Sequence, residues 1–276
     1  MSNVFLMYPP FLVAAMLFGC CSSIPLFSTV APTDSDEPTI NLEVLRHSYV
    51  NVSRRIFVRL CGLTASGETE CLETSPSRAS ASGVVYRHED NRTLLLTAGH
   101  ACQPQSPMTI FDYIFNVPQS EEVDRGLARF VDIRTMNKIT KIELRNIGGE
   151  SFVDDIVIVE VDLESDLCVL SMPEASHINV VPLADADPPV GAVVWNIASP
   201  YGIFNRGMVP ILSGIWCGRA PSESTFICDL PASPGSSGSG VFNSAGEIVS
   251  IILATNMQFH QASFGANLEQ IRSIID

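Results

Sequence analysis

The strongest constraint on this chain is a recurrence of short apolar or alternating runs separated by turn residues. Gly83–Tyr86, Thr93–Thr97, Lys141–Arg145, Ile156–Val161, Leu167–Ser171, Ala192–Ile197, Ile211–Trp216, Gly240–Phe242 and Ile248–Leu253 all have strand length and β-branched or aliphatic character. Runs of this kind satisfy their backbones by pairing with one another. With so few helical patterns between them, they argue for an all-β chain built of barrels or sandwiches. The clearest helix is Asn267–Ile275, which places apolar residues at 268, 271, 274 and 275 on one face and offers Asn267 as its N-cap. Pro182–Gly191, with Pro188 and Pro189 inside it, is the expected passage between two β lobes, residues 45–187 and 188–276. Gln103–Met136 shows no clear period and is assigned to no element.

Charge narrows the partners. The chain has 276 residues, 16 Lys+Arg against 30 Asp+Glu, and a formal charge of -14. Only Lys138 and Lys141 are lysines, so the positive field that sequence-independent nucleic-acid binding needs is missing, and no nucleic-acid partner is expected. Charged residues make up 17%, too few for a disordered chain.

The N-terminus points outward from the cell. Asp34 is the first charged residue, and Phe11–Phe18 is an unbroken apolar run followed by Gly19, Cys20, Cys21, Ser22 and Ser23. Residues 1–23 therefore read as an export signal or membrane anchor, with Cys20 as a lipidation candidate in Leu17-Phe-Gly-Cys20. Residues 24–44, rich in Pro, Ser, Thr and Asp, read as a linker. The expected destination is secreted, periplasmic or attached to the cell envelope, with an N-terminal membrane tether left open.

Cysteine usage agrees with an oxidising compartment. Cys61 and Cys71 flank one turn-rich segment, and Cys217 and Cys228 flank another, so each pair is expected to bridge a hairpin. Cys102 and Cys168 remain. No Cys-x-x-Cys spacing points to zinc, and neither a metal nor a cofactor is expected.

Three segments carry chemistry. Leu94–Thr97 is a hydrophobic strand running directly into Ala98, Gly99 and His100, and imidazole is the side chain suited to moving protons near neutrality. Asp166 stands immediately before the apolar Leu167–Leu170, where a carboxylate can fix a histidine tautomer. Ser237 lies in Pro234-Gly-Ser-Ser-Gly238, whose glycines allow a sharp turn that converges the N–H groups of Gly235 and Ser237 on a developing oxyanion. Each segment alone is common; their order, His, Asp, Ser, is restrictive. It differs from the Ser, Asp, His order of α/β-hydrolases, and Ser239 stands where their nucleophile elbow needs glycine.

Together these segments resemble the chymotrypsin-fold (trypsin-like) serine peptidases, most closely the bacterial Deg-type and glutamyl-endopeptidase-like branches. Thr97-Ala-Gly-His100 is similar to the family's Thr-Ala-x-His. Asp166-Leu-Cys-Val-Leu170 is similar to Asp-Leu-Ala-Val-Leu, and Pro234-Gly-Ser-Ser-Gly-Ser239 to Pro-Gly-Asn-Ser-Gly-Gly. Ser82-Gly-Val-Val85, Ser199-Pro-Tyr-Gly202, Gly246-Glu-Ile-Val-Ser250 and Ser263-Phe-Gly-Ala-Asn267 fall in matching places. The likeness spans residues 80–276 apart from the insert at 103–136.

The resemblance implies two six-stranded antiparallel β-barrels with a C-terminal helix and a site in the cleft between them. Ser237 would be the nucleophile, His100 the base and then acid, and Asp166 the orienting carboxylate, with Gly235 and Ser237 forming the oxyanion hole. Ser236 and Ser239 are rival nucleophiles, but only Ser237 has glycine two before and one after it; Asp162 rivals Asp166 but lacks the following strand. Cys102 and Cys168, each two residues beyond a triad member, then become partners. Ser236 replaces the aspartate that receives a new amino terminus in trypsin-like zymogens, so activation of that type is not expected. Neither is a following PDZ-like segment.

Specificity is less constrained. Pro231, six residues before Ser237, stands where a trypsin-like pocket carries Asp, which disfavours Arg or Lys. Leu253, Ala254 and Thr255 are expected to pair with an extended substrate backbone, Gly265 to leave space near the primary pocket, and His260 to occupy a surface loop. The net charge disfavours acidic substrates mildly. The expected function is a serine endopeptidase acting on protein or peptide substrates. The alternatives are a catalytically weak or inactive binding module on the same fold, or an esterase-like acyl hydrolase.

Overall fold

The computed structural model describes residues 40–73, 77–103, 105–107, 130–219, 225–255 and 262–276. The apolar leader, Cys20, most of the linker and His260 lie outside them. Glu37–Asp276 form one compact unit. It opens with a short helix, α1 (Leu42–Arg46), which starts inside the stretch read as linker and is N-capped by Asn41, whose side chain accepts from the Val44 N–H.

The first sheet contains β1 (Tyr49–Thr64), β2 (Thr69–Glu73), β3 (Ser77–Glu89), β4 (Arg92–Ala98), β5 (Gln105–Pro107), β6 (Phe130–Asn146), β7 (Ser151–Phe152), β8 (Val157–Asp162) and β9 (Leu167–Pro173). Its strand order is β5-β6-β1-β3-β4-β9-β8, with β2 added to β1 and β7 to β6. The second contains β10 (Val193–Ile197), β11 (Ile211–Arg219), β12 (Thr225–Asp229), β13 (Gly240–Phe242), β14 (Ile248–Thr255) and β15 (Ser263–Ala266), closed in the order β10-β11-β12-β15-β14-β13. The closed six-stranded barrel is as expected. The first lobe differs: it has nine strands, and its described pairings form an open path. The unassigned insert supplies β5 and the start of β6, and the short strands β2 and β7 are added outside it at the flanks of β1 and β6. β6 then pairs with β1 along nearly its whole length, from Val50↔Asn146 to Thr64↔Phe130.

Several strands read as continuous apolar runs because both of their faces are buried. On β4, Leu95 packs with Val50, Val52, Val85, Leu170 and Met172 in the first lobe's core. Its neighbour Leu96 packs with Val169, Ile197, Phe242 and Ile251, in a cluster drawn from both lobes. β14 behaves alike: Ile251 joins that shared cluster, whereas Ile252 packs inside the barrel with Trp216, Leu230 and Val249. Adjacent residues such as Leu95 and Leu96, or Ile252 and Ile251, thus go one to a lobe interior and one to the seam between lobes.

The last helix, α3 (Leu268–Ile275), follows the sequence reading. Asn267 caps it, Gln270 returns the bond to the Asn267 N–H, and Leu268 and Ile271 are buried.

Among the described residues, two disulfides form. Cys61 and Cys71 are cross-strand partners on β1 and β2, and Cys102 joins Cys168 with Cα atoms 6.4 Å apart. The pairing expected between Cys217 and Cys228 does not form: Cys217 is a free, exposed thiol. Register explains this. Trp216, not Cys217, is the partner of Cys228, and an irregularity follows between Trp216 and Arg219. One residue of offset turns Cys217 to the opposite face from the buried Trp216.

The Cys102–Cys168 bridge has a sequence separation of 66 and the Cys61–Cys71 bridge one of 10. Chain-entropy scaling gives about 4 kcal/mol for the first and about 3 kcal/mol for the second. Urea unfolding of the two Cys→Ser double variants should show the larger loss at Cys102–Cys168. Peptide cleavage should fall only there, because that bridge braces the site described next.

Candidate active site

Strand register creates the central pair. β4 and β9 are antiparallel neighbours, and Thr97↔Cys168 and Ala98↔Leu167 are the last partners before β4 ends. The residues just past that point, His100 on the single-turn helix α2 (Gly99–Cys102) and Asp166 in the turn before β9, must therefore lie side by side. His100 Nδ1 is 2.8 Å from Asp166 Oδ2, and the His100 backbone N–H donates to Asp166 Oδ1 at 2.7 Å. The Gly99 N–H donates to the Asp166 carbonyl at 2.7 Å. One carboxylate thus holds both the ring and the backbone of the histidine. A Cβ on Gly99 would stand 2.9 Å from the Asp166 carbonyl carbon, so the approach requires glycine there. Asp162, the rival acid, is occupied elsewhere, accepting from the Glu164 N–H and the Ser165 hydroxyl. Those bonds, the Ser165 hydroxyl first, hold its carboxyl below the usual range.

Ser237 lies on the barrel's loop between β12 and β13 and lines the same cleft as His100. This cleft, of about 780 Å³, is also lined by Gly235, Ser236, Leu253, Ala254 and Thr255. The Ser237 hydroxyl donates to the Leu253 carbonyl at 3.2 Å. The rival serines are committed to structure: both are buried, Ser239 Oγ donates to the Ser236 carbonyl at 2.6 Å, and Ser236 Oγ accepts from the Ser233 N–H.

The Ser237 loop is held by contacts that cross to the first lobe. The Ser82 N–H donates to the Ser237 carbonyl at 2.8 Å, and Ser82 Oγ donates to the Gly235 carbonyl at 2.8 Å. Ser82 Oγ also accepts from the Ser199 N–H. On the other side, the Tyr201 N–H donates to the Pro234 carbonyl at 2.6 Å. A trans peptide points its N–H opposite to its C=O, so drawing the Pro234 carbonyl toward Tyr201 turns the Gly235 N–H the other way. Among the described residues, neither the Gly235 N–H nor the Ser237 N–H has a protein acceptor. Gly235 is buried, so an unpartnered donor there is costly unless a ligand oxygen takes it.

Gly235 and Gly238 require glycine on two counts. Both have positive φ, +101° and +86°; a Cβ on Gly235 would stand 2.3 Å from the Ser199 carbonyl oxygen, and one on Gly238 2.2 Å from that of Ser82.

The remaining sequence expectations divide. β13 leaves β14 at Gly240↔Ile251, while β15 continues to Thr255 on the other edge. Among the described residues, the β13-side edge of Leu253–Thr255 has no strand partner. Gly265 is not at the cleft. It pairs with Phe226 and Ile252, and the place of its missing side chain is filled by Ser250 Oγ, 2.2 Å from where a Cβ would stand.

The sequence reading missed the buried polar cluster behind the loop, where Asn51, Ser80, Ser82 and Ser199 exchange hydrogen bonds beside Tyr49. Burial pushes the Tyr49 phenol pKa up and keeps it neutral. Ser82 and Ser199 stood in recognised motifs, but their bonds span more than a hundred residues. The reading also missed Arg54, whose Nη1 donates to the His100 carbonyl at 2.8 Å.

Residues 81–251 match the family described as the trypsin-like peptidase domain. No curated protein matches the chain. Among solved structures, the serine endoprotease from Yersinia pestis is similar in fold, with a TM-score of 0.52 and 18% identity. That match covers 86% of this chain and 65% of the Yersinia chain.

Proposed function

Since the chain belongs to the trypsin-like peptidase family, we propose that it is a serine endopeptidase whose nucleophile is Ser237, with His100 as base and Asp166 as its orienting partner. The observation that carries the proposal is the convergence, on one cleft, of the His100–Asp166 pair, Ser237 and two acceptor-free N–H groups. In this mechanism a rotation about the Ser237 Cα–Cβ bond moves its hydroxyl from the Leu253 carbonyl to His100 Nε2. Hydrogen bonds of this kind commonly tighten only when substrate binds. Ser237 Oγ then attacks the scissile carbonyl as its proton passes to His100, and the Gly235 and Ser237 N–H groups receive the oxyanion. His100 returns the proton to the leaving amine; water repeats the sequence to release the acyl group. Asp166 fixes the ring with Nε2 free toward the nucleophile.

The hole needs no ion pair with a new amino terminus, because Tyr201 holds the 234–235 peptide through the Pro234 carbonyl and Ser239 holds the 236–237 peptide through the Ser236 carbonyl. The two disulfides suit an exported protein. Among the described residues, no helix is long and apolar enough to cross a membrane.

The Ser237–Leu253 bond also favours a second reading, a binding module whose serine is idle. A fluorophosphonate probe separates the two. The full chain should be labelled stoichiometrically and the folded Ser237→Ala variant not at all; an unlabelled native protein would overturn the proposal. Hydrolysis of small esters without any peptide cleavage would instead support an acyl hydrolase using the same residues.

A further inference from the structure

The charge of the cleft opposes that of the chain. Although acidic residues outnumber basic ones, 30 to 16, the described residues lining the cleft include Arg54, Arg78 and Arg145 and no Asp, Glu or Lys. All three arginines come from the first lobe: Arg54 from β1, Arg78 from β3 and Arg145 from β6.

Their partners differ. Arg145 donates to Glu143 at 2.7 Å, and Glu143 also accepts from Arg55 and the Ser151 hydroxyl, so this trio retains one positive charge. Arg54 spends one N–H on the His100 carbonyl; its Nε is buried without a partner, and Asp166 is the acid near enough to act on its charge. The Arg78 side chain is exposed and makes no hydrogen bond or ion pair among the described residues. Asp166 bonds to His100 without losing its own charge and so offsets Arg54, which leaves the charge of Arg78 and the one charge of the trio. The wall therefore keeps uncompensated positive charge. At physiological salt, charges more than about 8 Å away are largely screened, so these arginines outweigh the distant net charge of the protein. The expectation that acidic substrates are disfavoured, drawn from net charge, does not extend to this wall.

The position of the wall sets which part of a substrate it meets. The open edge at Leu253–Thr255 belongs to the second lobe and suits the acyl side. His100 delivers its proton to the leaving amine, so groups beside His100 on the first lobe face the leaving-group side. Arg54 touches the His100 backbone directly, whereas Arg78, the cross-strand partner of Arg55, shares with Arg145 the other face of β1 and lines the same cleft from there. From this we propose that Arg78, on the positively charged first-lobe wall, forms a subsite for a carboxylate side chain, Asp or Glu, within the first residues after the scissile bond. The subsite rests on the peptidase reading for its direction along the substrate and on the arginines for its chemistry.

The test uses the full chain and peptides with amidated C-termini, identical except for Glu or Gln at each of the three positions after the cleaved bond. At one position kcat/KM for Glu should exceed that for Gln by about tenfold at low salt, and the ratio should fall toward one as salt screens the pair. Arg78→Ala should collapse the ratio and Arg78→Glu should invert it. A Gln peptide with a free C-terminus asks whether a terminal carboxylate serves instead of a side chain; cleavage that depends only on that terminus overturns the side-chain assignment. A ratio near one at all three positions, or a preference untouched by both Arg78 variants, overturns the subsite. The same peptides are titrated against Ser237→Ala by fluorescence anisotropy, which reads affinity without turnover. If no peptide is cleaved, the peptidase reading fails, and equal affinities for Glu and Gln would overturn the carboxylate site separately.

Discussion

Ser237→Ala should lower kcat for peptide cleavage by about 10⁵- to 10⁶-fold, with peptide affinity retained and thermal unfolding little changed. The hydroxyl's single bond in this structure goes to the Leu253 carbonyl, at 3.2 Å and partly exposed to solvent, so its loss removes little from the folded state. The chemistry has no substitute, because Ser236 and Ser239 are buried and bonded within the loop. Asp166→Asn should be nearly as severe, about 10⁴-fold in kcat. Both Asp166 oxygens accept N–H bonds from His100, one from the backbone and one from Nδ1. An amide can accept at only one of these positions and presents an N–H₂ to the other. If it faces the ring, it selects the tautomer whose Nε2 carries the proton and cannot act as base. Stopped-flow and steady-state cleavage of one reporter peptide by both variants, with peptide binding measured in parallel, separates loss of chemistry from loss of affinity. A residual rate within tenfold of the native protein in Ser237→Ala would remove Ser237 as the nucleophile.

Gly235→Ala should cost about 10²- to 10³-fold in kcat, the size expected when one oxyanion donor is lost. The backbone there has φ +101°, and a Cβ would collide with the Ser199 carbonyl oxygen at 2.3 Å. The chain can relieve that collision only by moving the 234–235 peptide, and the N–H aimed by Tyr201 moves with it. Gly67→Ala is the control. Gly67 also has positive φ, +83°, but no atom stands within 4 Å of its Cβ position, so that variant should show a modest stability loss of about 1 kcal/mol and native cleavage. If Gly235→Ala retains native kcat, the hole is formed by other donors.

Much of this arrangement is legible in the sequence because its parts are local. An apolar strand ending in His100, a carboxylate ahead of a second apolar strand and a serine between glycines each occupy fewer than ten residues. Side-chain alternation and turn chemistry also mark most strands of both lobes and the Asn267 cap. The failures share a cause. Hairpin symmetry pairs Cys217 with Cys228, and a one-residue register offset places Trp216 opposite Cys228 instead. Glycine at 265 implies open space in the sequence, and Ser250 from the neighbouring strand fills it. The insert looked aperiodic, yet part of it pairs with β1 as the first half of β6.

The residue types, their order and the strand each belongs to were determined by the sequence alone, since a period of two and a tight glycine turn are properties of neighbouring residues. Tertiary structure decided how those parts are aimed. The Gly235 N–H is aimed by Tyr201 and its carbonyl is held by Ser82, and Arg54 and Arg78 reach one cleft from different faces of the paired β1 and β3. Both depend on register between segments far apart in the chain, and a hydrogen bond across that distance leaves no pattern in the sequence on either side of it.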